Sequence, residues 1–164
     1  YGKVVKEIVG DLGCKLAFEP GRLIVGNAGI LVTRVIYVKD GATRRFVIVD
    51  AAMNDLPRPA MYEAWHAIVP VDGPVDGSAR SPEREWEVVG PVCESGDWIG
   101  HDRALAVQQG DLLAVLSAGA YCMSMSSNYN TRGRAAEILV DGVQAHLIRE
   151  RESAFDTFTR ERLL

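Results

Sequence analysis

Near the start of the chain, Val4, Val5, Ile8, Val9 and Leu12 recur at steps of one, three and four, the period of a single helical face, and Gly10 and Gly13 end the pattern. Tyr1-Gly2-Lys3 offers no Ser, Thr, Asp or Asn to cap that helix, so the chain reads as entered part-way through an element, as a cut polypeptide would be. Lys15-Leu16-Ala17-Phe18 follows as a short non-alternating run of the kind buried on both faces of a sheet, and it stops at Glu19-Pro20-Gly21-Arg22. Helix, buried strand and polar loop make one α/β unit. The remainder differs: residues 30–37, 46–49, 64–71, 85–89, 111–116, 137–140 and 144–148 predict strands. Asp40-Gly41 predicts a two-residue hairpin turn, and Asp-Gly recurs at 72–73, 76–77 and 141–142. Strands at this spacing predict a mainly β fold, an antiparallel barrel or sandwich. Residues 72–82 are turn-rich and polar, a surface loop. Ser153, followed three residues later by Asp156, opens a predicted closing helix that places Phe155, Phe158 and Leu163 on one face.

Composition narrows the function classes. With 164 residues, 48% of them hydrophobic, the chain is one compact domain or a little more. There is no apolar run of membrane-spanning length and no signal-peptide pattern at the N-terminus, from which a cytoplasmic location is expected. Eighteen basic against 22 acidic side chains, with the arginines scattered, argue against nucleic acid or an anionic membrane as partner. Cys14, Cys93 and Cys122 have no CxxC spacing, which points to free thiols and away from a disulfide framework or a metal site.

Four patches are too polar or too rich in small residues for plain packing, and each has a bland alternative. Glu19-Pro20-Gly21-Arg22 follows the predicted buried strand, where backbone amides at a glycine can approach a phosphate; the same residues also make an ordinary turn. In Leu56-Pro57-Arg58-Pro59-Ala60-Met61-Tyr62 two prolines stiffen the backbone around Arg58, and a helical turn begun at Pro59 would set Tyr62 on the same side; otherwise it is a surface turn. Pro91-Val92-Cys93-Glu94-Ser95-Gly96-Asp97 places a thiol beside two carboxylates, which suits a position near a cationic ligand or cofactor better than a free nucleophile; a buried cysteine at a strand end is the alternative. Ser117-Ala118-Gly119-Ala120-Tyr121 joins small residues to a phenol able to donate to an anionic oxygen, or simply packs sheet elements closely. His66, His101 and His146 do not cluster, and His66 and His146, placed inside predicted strands, read as structural.

Taken in order, EPGR, RPAMY, CESGD and AGAY, with IVGNAGILVTRV after the first and NYNTRGRAAEILVDG after the last, resemble the C-terminal part of the diaminopimelate decarboxylases, pyridoxal 5'-phosphate enzymes of the alanine racemase-like fold type. The resemblance runs over essentially the whole chain. It implies an N-terminal (β/α)8 barrel that holds the cofactor, a C-terminal β-barrel domain, and a homodimer with active sites shared across the interface. Residues 1–29 would then be the last helix and strand of that barrel with its crossover, and 30–164 the substrate-specificity and dimerisation domain. By the same resemblance Glu19, Gly21 and Tyr121 help hold the cofactor. Arg22, Arg58 and Tyr62, with Tyr121, bind the substrate and grip its distal carboxylate, Glu94 of the partner subunit takes its distal ammonium, and Cys93 of the partner subunit assists protonation after CO2 is lost. The Schiff-base lysine is expected in the barrel, and none of Lys3, Lys6, Lys15 and Lys39 is placed to replace it, so this chain alone is expected to be inactive and without bound cofactor. Decarboxylases of carboxynorspermidine, or of ornithine or arginine, are the nearest alternatives, and a stand-alone β-barrel interaction module without catalysis is the alternative from another class.

Overall fold

The computed structural model describes residues 1–10, 12–71 and 82–162. Helix α1 (Gly2–Val9) starts without a side-chain cap and buries none of its residues. Residues 15–20 carry no secondary structure, contrary to the predicted buried strand, and Leu16 and Phe18 are exposed. A strand buried on both faces needs neighbours for its N–H and C=O groups, and no described strand pairs with this segment. Instead Leu16, Ala17 and Phe18 line a shallow apolar groove with Val4 and Ile8 of α1. Helix α2 (Arg22–Val25) and a 3₁₀ turn (Gly26–Ala28) lead into the sheet.

Six strands form one sheet: β1 (Leu31–Asp40), β2 (Arg45–Val49), β3 (Ile68–Pro70), β4 (Arg84–Val89), β5 (Trp98–Leu105) and β6 (Leu112–Val115), in the order β3-β6-β1-β2-β4-β5. The outer strands β3 and β5 approach each other: the methyl end of Ile68 lies 3.0 Å from where a Cβ on Gly100 would stand, so the sheet is nearly closed into a barrel. Val35, Val47, Val49, Val88, Ile99 and Leu113 fill its interior, each at most 1% exposed. The pairing is not wholly antiparallel, because β2 and β4 run parallel. Between them the chain passes through a buried loop, helix α3 (Arg58–Tyr62) and β3, and this crossover returns β4 in the direction of β2.

Other expectations also need correction. The β1–β2 connection has four residues, 41–44, closed by the Gly41 N–H donating to the Arg44 carbonyl at 2.9 Å. The predicted strand 64–71 shrinks to β3, leaving His66 outside it. Strand β5 was not predicted, since His101, Asp102 and Arg103 break its alternation and Asp102 takes a positive φ of 52°. The closing helix is only a 3₁₀ turn (Ala154–Phe158), although the Ser153–Asp156 capping box is present. Phe155 and Phe158 meet edge to face there, 4.9 Å apart, and both remain exposed. Leu163 and the Asp-Gly pairs of 72–82 lie outside the described residues. The Asp141-Gly142 turn, by contrast, closes a hairpin of β7 (Glu137–Asp141) and β8 (Gln144–Arg149) with a two-residue loop and Gly142 at φ 58°.

Candidate active site

The buried loop 50–57 organises the site by hydrogen bonds that leave β2 and hold three neighbouring segments. Thr33 Oγ donates to Asp50 Oδ1 at 2.6 Å and accepts from the Ala51 N–H at 2.9 Å. Asp97, 3% exposed, accepts the Met53 N–H at 2.6 Å and the Val92 N–H at 2.8 Å, pinning the Cys93-Glu94-Ser95-Gly96-Asp97 turn to the loop. Asn54 donates to the Tyr129 carbonyl at 2.8 Å, and Cys122 to the Asp55 carbonyl at 3.0 Å. Burial, with the nearby Asp55 charge, pushes the Cys122 thiol up to about 12, so it is an inert donor. Arg58 begins α3 immediately after this loop, with Pro59 in the first helical turn.

A second set of contacts joins the first and fourth patches. The Ala118 N–H donates to the Gly29 carbonyl at 2.8 Å and the Gly119 N–H to the Gly26 carbonyl at 3.0 Å. The backbones approach so closely that a Cβ on Gly29 would stand 2.6 Å from Gly119 Cα. One consequence is that Tyr121, held at φ 57°, sets its hydroxyl 2.9 Å from where a Cβ on Gly21 would be. Backbone without a side chain on one side and a phenol O–H on the other is a cradle that a larger residue at Gly21 would fill, and it suits an oxyanion.

Two guanidinium groups, of Arg22 and Arg58, lie beside this cradle, and a third, of Arg103, stands on β5. Arg22 reaches the Ser117 carbonyl at 3.4 Å, Arg58 lies 5.9 Å over the Tyr121 ring, and Arg103 lies 5.0 Å over the Trp65 ring. All three carry a buried Nε without a hydrogen-bond partner, and none of them forms an ion pair among the described residues. Burial lowers the Arg103 pKa, the charges of Asp102 and Glu87 opposing it. His66 is 1% exposed, and burial lowers its pKa, with the charges of Arg22, Arg58 and Arg103 adding to the effect and the Leu116 carbonyl opposing it. Such a cluster is built to receive an anion that planar guanidinium forks can hold.

The structure therefore brings Gly21, Arg22, Arg58 and Tyr121 together and does not bring the other candidates to them. Tyr62 ends α3, more than half exposed. Glu19 makes no hydrogen bond or ion pair among the described residues. Cys93 is exposed, and Glu94 accepts from the Tyr129 hydroxyl at 3.2 Å, a bond that raises the Tyr129 pKa. No described contact joins Cys93 or Glu94 to Arg22, Arg58 or Tyr121. Sequence reasoning missed Tyr129 and Arg103 and set His66 aside. A buried histidine between Trp65 and the apolar Ala67-Ile68-Val69 was the available signal.

Residues 8–119 match the family described as pyridoxal-dependent decarboxylase, C-terminal sheet domain. The chain belongs to that family. A diaminopimelate decarboxylase from Pseudomonas fluorescens is 54% identical over 164 residues, all of this chain and 38% of the relative. The crystal structure of diaminopimelate decarboxylase from M. jannaschii in co-complex with L-lysine superposes with a TM-score of 0.82 at 39% identity, covering 89% of this chain and 32% of that one. The arginine decarboxylase of Paramecium bursaria Chlorella virus, bound to agmatine, gives a TM-score of 0.60 at 20% identity over 79% of this chain and 35% of that one, a likeness of fold alone. The chain thus spans somewhat over a third of the length of its decarboxylase relatives, and among its described residues no helix is long and apolar enough to cross a membrane.

Proposed function

We propose that this chain is the C-terminal part of a decarboxylase that converts meso-2,6-diaminopimelate to L-lysine and CO2, with residues 1–29 belonging to a cofactor-binding barrel and 30–164 forming the domain that selects the substrate. The observation that carries the reading is the arginine cluster without a carboxylate partner, beside the Gly21–Tyr121 cradle. Substrates such as ornithine or arginine end in a cation, which three guanidinium groups would repel; diaminopimelate ends in a carboxylate and an ammonium. A carboxynorspermidine-type substrate also carries a distal carboxylate and is the rival reading.

Pyridoxal phosphate, when bound, supplies the electron sink for loss of CO2. The Gly21 backbone and the Tyr121 hydroxyl hold its phosphate, with Glu19 at the edge of the same loop. Arg22, and Arg58 with Tyr62 at the other end of α3, would fix the distal carboxylate and so orient the substrate for loss of the other carboxylate. Glu94, contributed by the partner subunit of a homodimer, takes the distal ammonium. Cys93 of the partner subunit holds the proton on Sγ that replaces the lost carboxylate. The lysine that carries the cofactor would lie in the barrel, so residues 1–164 alone are expected to be inactive. Assaying CO2 release by the full-length protein tests this: diaminopimelate should be preferred over ornithine and arginine by about 10⁴-fold, the range in which a site built for a polar group rejects analogues lacking it. Comparable turnover of the basic amino acids, or faster turnover of carboxynorspermidine, would sink the reading.

A further inference from the structure

Glu94 and Tyr129 lie 35 residues apart in sequence, yet both are fastened to the buried loop 50–57. Buried Asp97 ties the turn that carries Glu94 through its bonds from the Met53 and Val92 N–H groups. Buried Asn54 ties the turn that carries Tyr129: its side-chain amide donates to the Tyr129 carbonyl at 2.8 Å and to the Ser127 carbonyl at 3.2 Å, and its own carbonyl accepts the Ser127 N–H at 3.2 Å. Arg132 closes that turn by donating to the Asp50 carbonyl at 2.6 Å. Between these tethers Asn130 and Thr131 take positive φ values of 57° and 56°, a conformation that is most costly for a β-branched side chain. What this strained and tethered turn presents is a phenol whose O–H donates to Glu94 Oε2 at 3.2 Å.

A phenol suits this position for a reason of charge. A carboxylate held by arginine or lysine is neutralised, and an incoming ammonium must then compete with the fixed cation. A neutral O–H orients the carboxylate and leaves its negative charge for a cation. The other oxygen, Oε1, makes only a long contact with the Gly96 N–H, at 3.4 Å, and Glu94 forms no ion pair among the described residues. The bond to Glu94 raises the Tyr129 pKa, so the phenol keeps the proton it donates.

We propose that Tyr129 is a positioning residue for the ammonium pole of the substrate: its hydroxyl fixes the Glu94 carboxylate of the same chain in the orientation that receives a primary ammonium, without cancelling the charge that binds it. The proposal rests on the functional reading above for the assignment of that ammonium to Glu94.

Two measurements on the full-length protein test it. In ¹³C NMR of protein labelled at tyrosine Cζ, the Tyr129 resonance, assigned by its loss in Tyr129→Phe, should titrate above the ordinary tyrosine range in the parent and return toward it in Glu94→Gln. Titrations that coincide overturn the proposal whatever the enzyme's substrate. The second measurement is inhibition of CO2 release by two amino acids that each carry one pole: L-lysine ends in an ammonium alone, 2-aminopimelate in a carboxylate alone. Tyr129→Phe, which keeps the ring and the backbone tethers, should weaken inhibition by L-lysine about five- to tenfold and leave that by 2-aminopimelate within about twofold. In a Glu94→Gln background the same substitution should cause no further loss, because the residue through which it acts is already changed. Equal weakening of both inhibitors would make Tyr129 a structural residue, and unchanged inhibition by L-lysine would make it idle; either overturns the proposal. A parent enzyme that releases no CO2 from diaminopimelate would remove the functional reading instead, and the titration would then decide alone whether Tyr129 fixes Glu94.

Discussion

Replacing Arg58 by alanine separates binding from folding, because the structure assigns the two effects opposite tendencies. Arg58 lies over the Tyr121 ring with a buried Nε lacking a partner, and Arg22, next to Gly21 of the same cradle, likewise has a buried Nε without one. Deleting its charge removes repulsion within the cluster and an uncompensated desolvation cost, while the lost stem packing works the other way. Folding stability should therefore change by no more than about 1 kcal/mol in either direction, the scale of a substitution that removes no satisfied partner. Catalysis should suffer far more. A guanidinium fork on a carboxylate makes charge-assisted bonds of about 1.5–3 kcal/mol each, so after reorganisation the loss in transition-state binding is about 2–4 kcal/mol, roughly thirty- to a thousand-fold in kcat/KM. Arg58→Lys should recover only part, an ammonium being unable to make the paired contact. The assay is CO2 release by the full-length enzyme beside a urea melt of the same preparation, with the cofactor absorbance checked. If stability falls as far as activity, Arg58 is holding the fold together and the anion-site argument is wrong.

Gly119→Ala should destabilise strongly, since an added Cβ would run into the Val25 carbonyl oxygen and break the bonds from Ala118 and Gly119 to Gly29 and Gly26. Two net hydrogen bonds plus overpacking amount to about 3–5 kcal/mol, measurable as a lowered denaturation midpoint together with weaker pyridoxal phosphate binding. Alkylation at pH 8 followed by peptide mass spectrometry should leave Cys122, buried and shifted to about 12, unlabelled while Cys93 reacts, and added L-lysine should protect Cys93; a labelled Cys122 in folded protein would contradict the assignment. Glu152, whose carboxylate accepts from Asn128 at 2.7 Å and the Arg134 N–H at 3.0 Å, is held down to about 2. A depressed carboxylate stabilises the fold above its unfolded pKa of 4.5 and loses that contribution as the pH falls toward 2, so Glu152→Gln should flatten acid unfolding in this window, as followed by circular dichroism.

Most of the sheet was legible in the sequence because β1, β2, β4 and β6 are rich in β-branched and aromatic residues bounded by turn signals, and each supplies apolar side chains to the interior. Strand β5 was not, because His101 and Arg103 face partners that patterning cannot see: His101 pairs with the buried Glu87 at 2.8 Å, and Arg103 stacks on Trp65. Residues 15–18 show the converse failure, an apolar run that reads as a strand without the neighbours that would make it one. At the site, the four motifs in order carried Gly21, Arg22, Arg58 and Tyr121. Their grouping was invisible, since it depends on Gly119 touching Gly29 and on loop 50–57 tying separate segments together. His66 was passed over because sequence gives no means of seeing that the charges of three arginines, 44 residues before it, 8 before it and 37 after it, act on one buried ring.

The separation of Glu94 from the arginines bears on how a substrate with both charges at one end could be held. A carboxylate within ion-pair distance of Arg58 would neutralise the cluster before any ligand arrived, and a ligand would then have to break that pair to bind. Here Glu94 is engaged by the neutral Tyr129 hydroxyl, on a turn fixed by Asp97, while Arg22 and Arg58 converge near Tyr121 without an acidic partner. Each pole is thus left without an opposite charge in ion-pair contact among the described residues. Within one chain no described contact joins them, as the proposed sharing of the site across a homodimer requires. If so, mixing Arg58→Ala with Glu94→Gln protomers should restore activity to about a quarter of the sites: half of randomly paired dimers are mixed, and in each of these one site carries both substitutions and the other neither. Fully exchanged mixtures as inactive as their parents would place both residues in the same subunit's site, and the charge separation would then need another explanation.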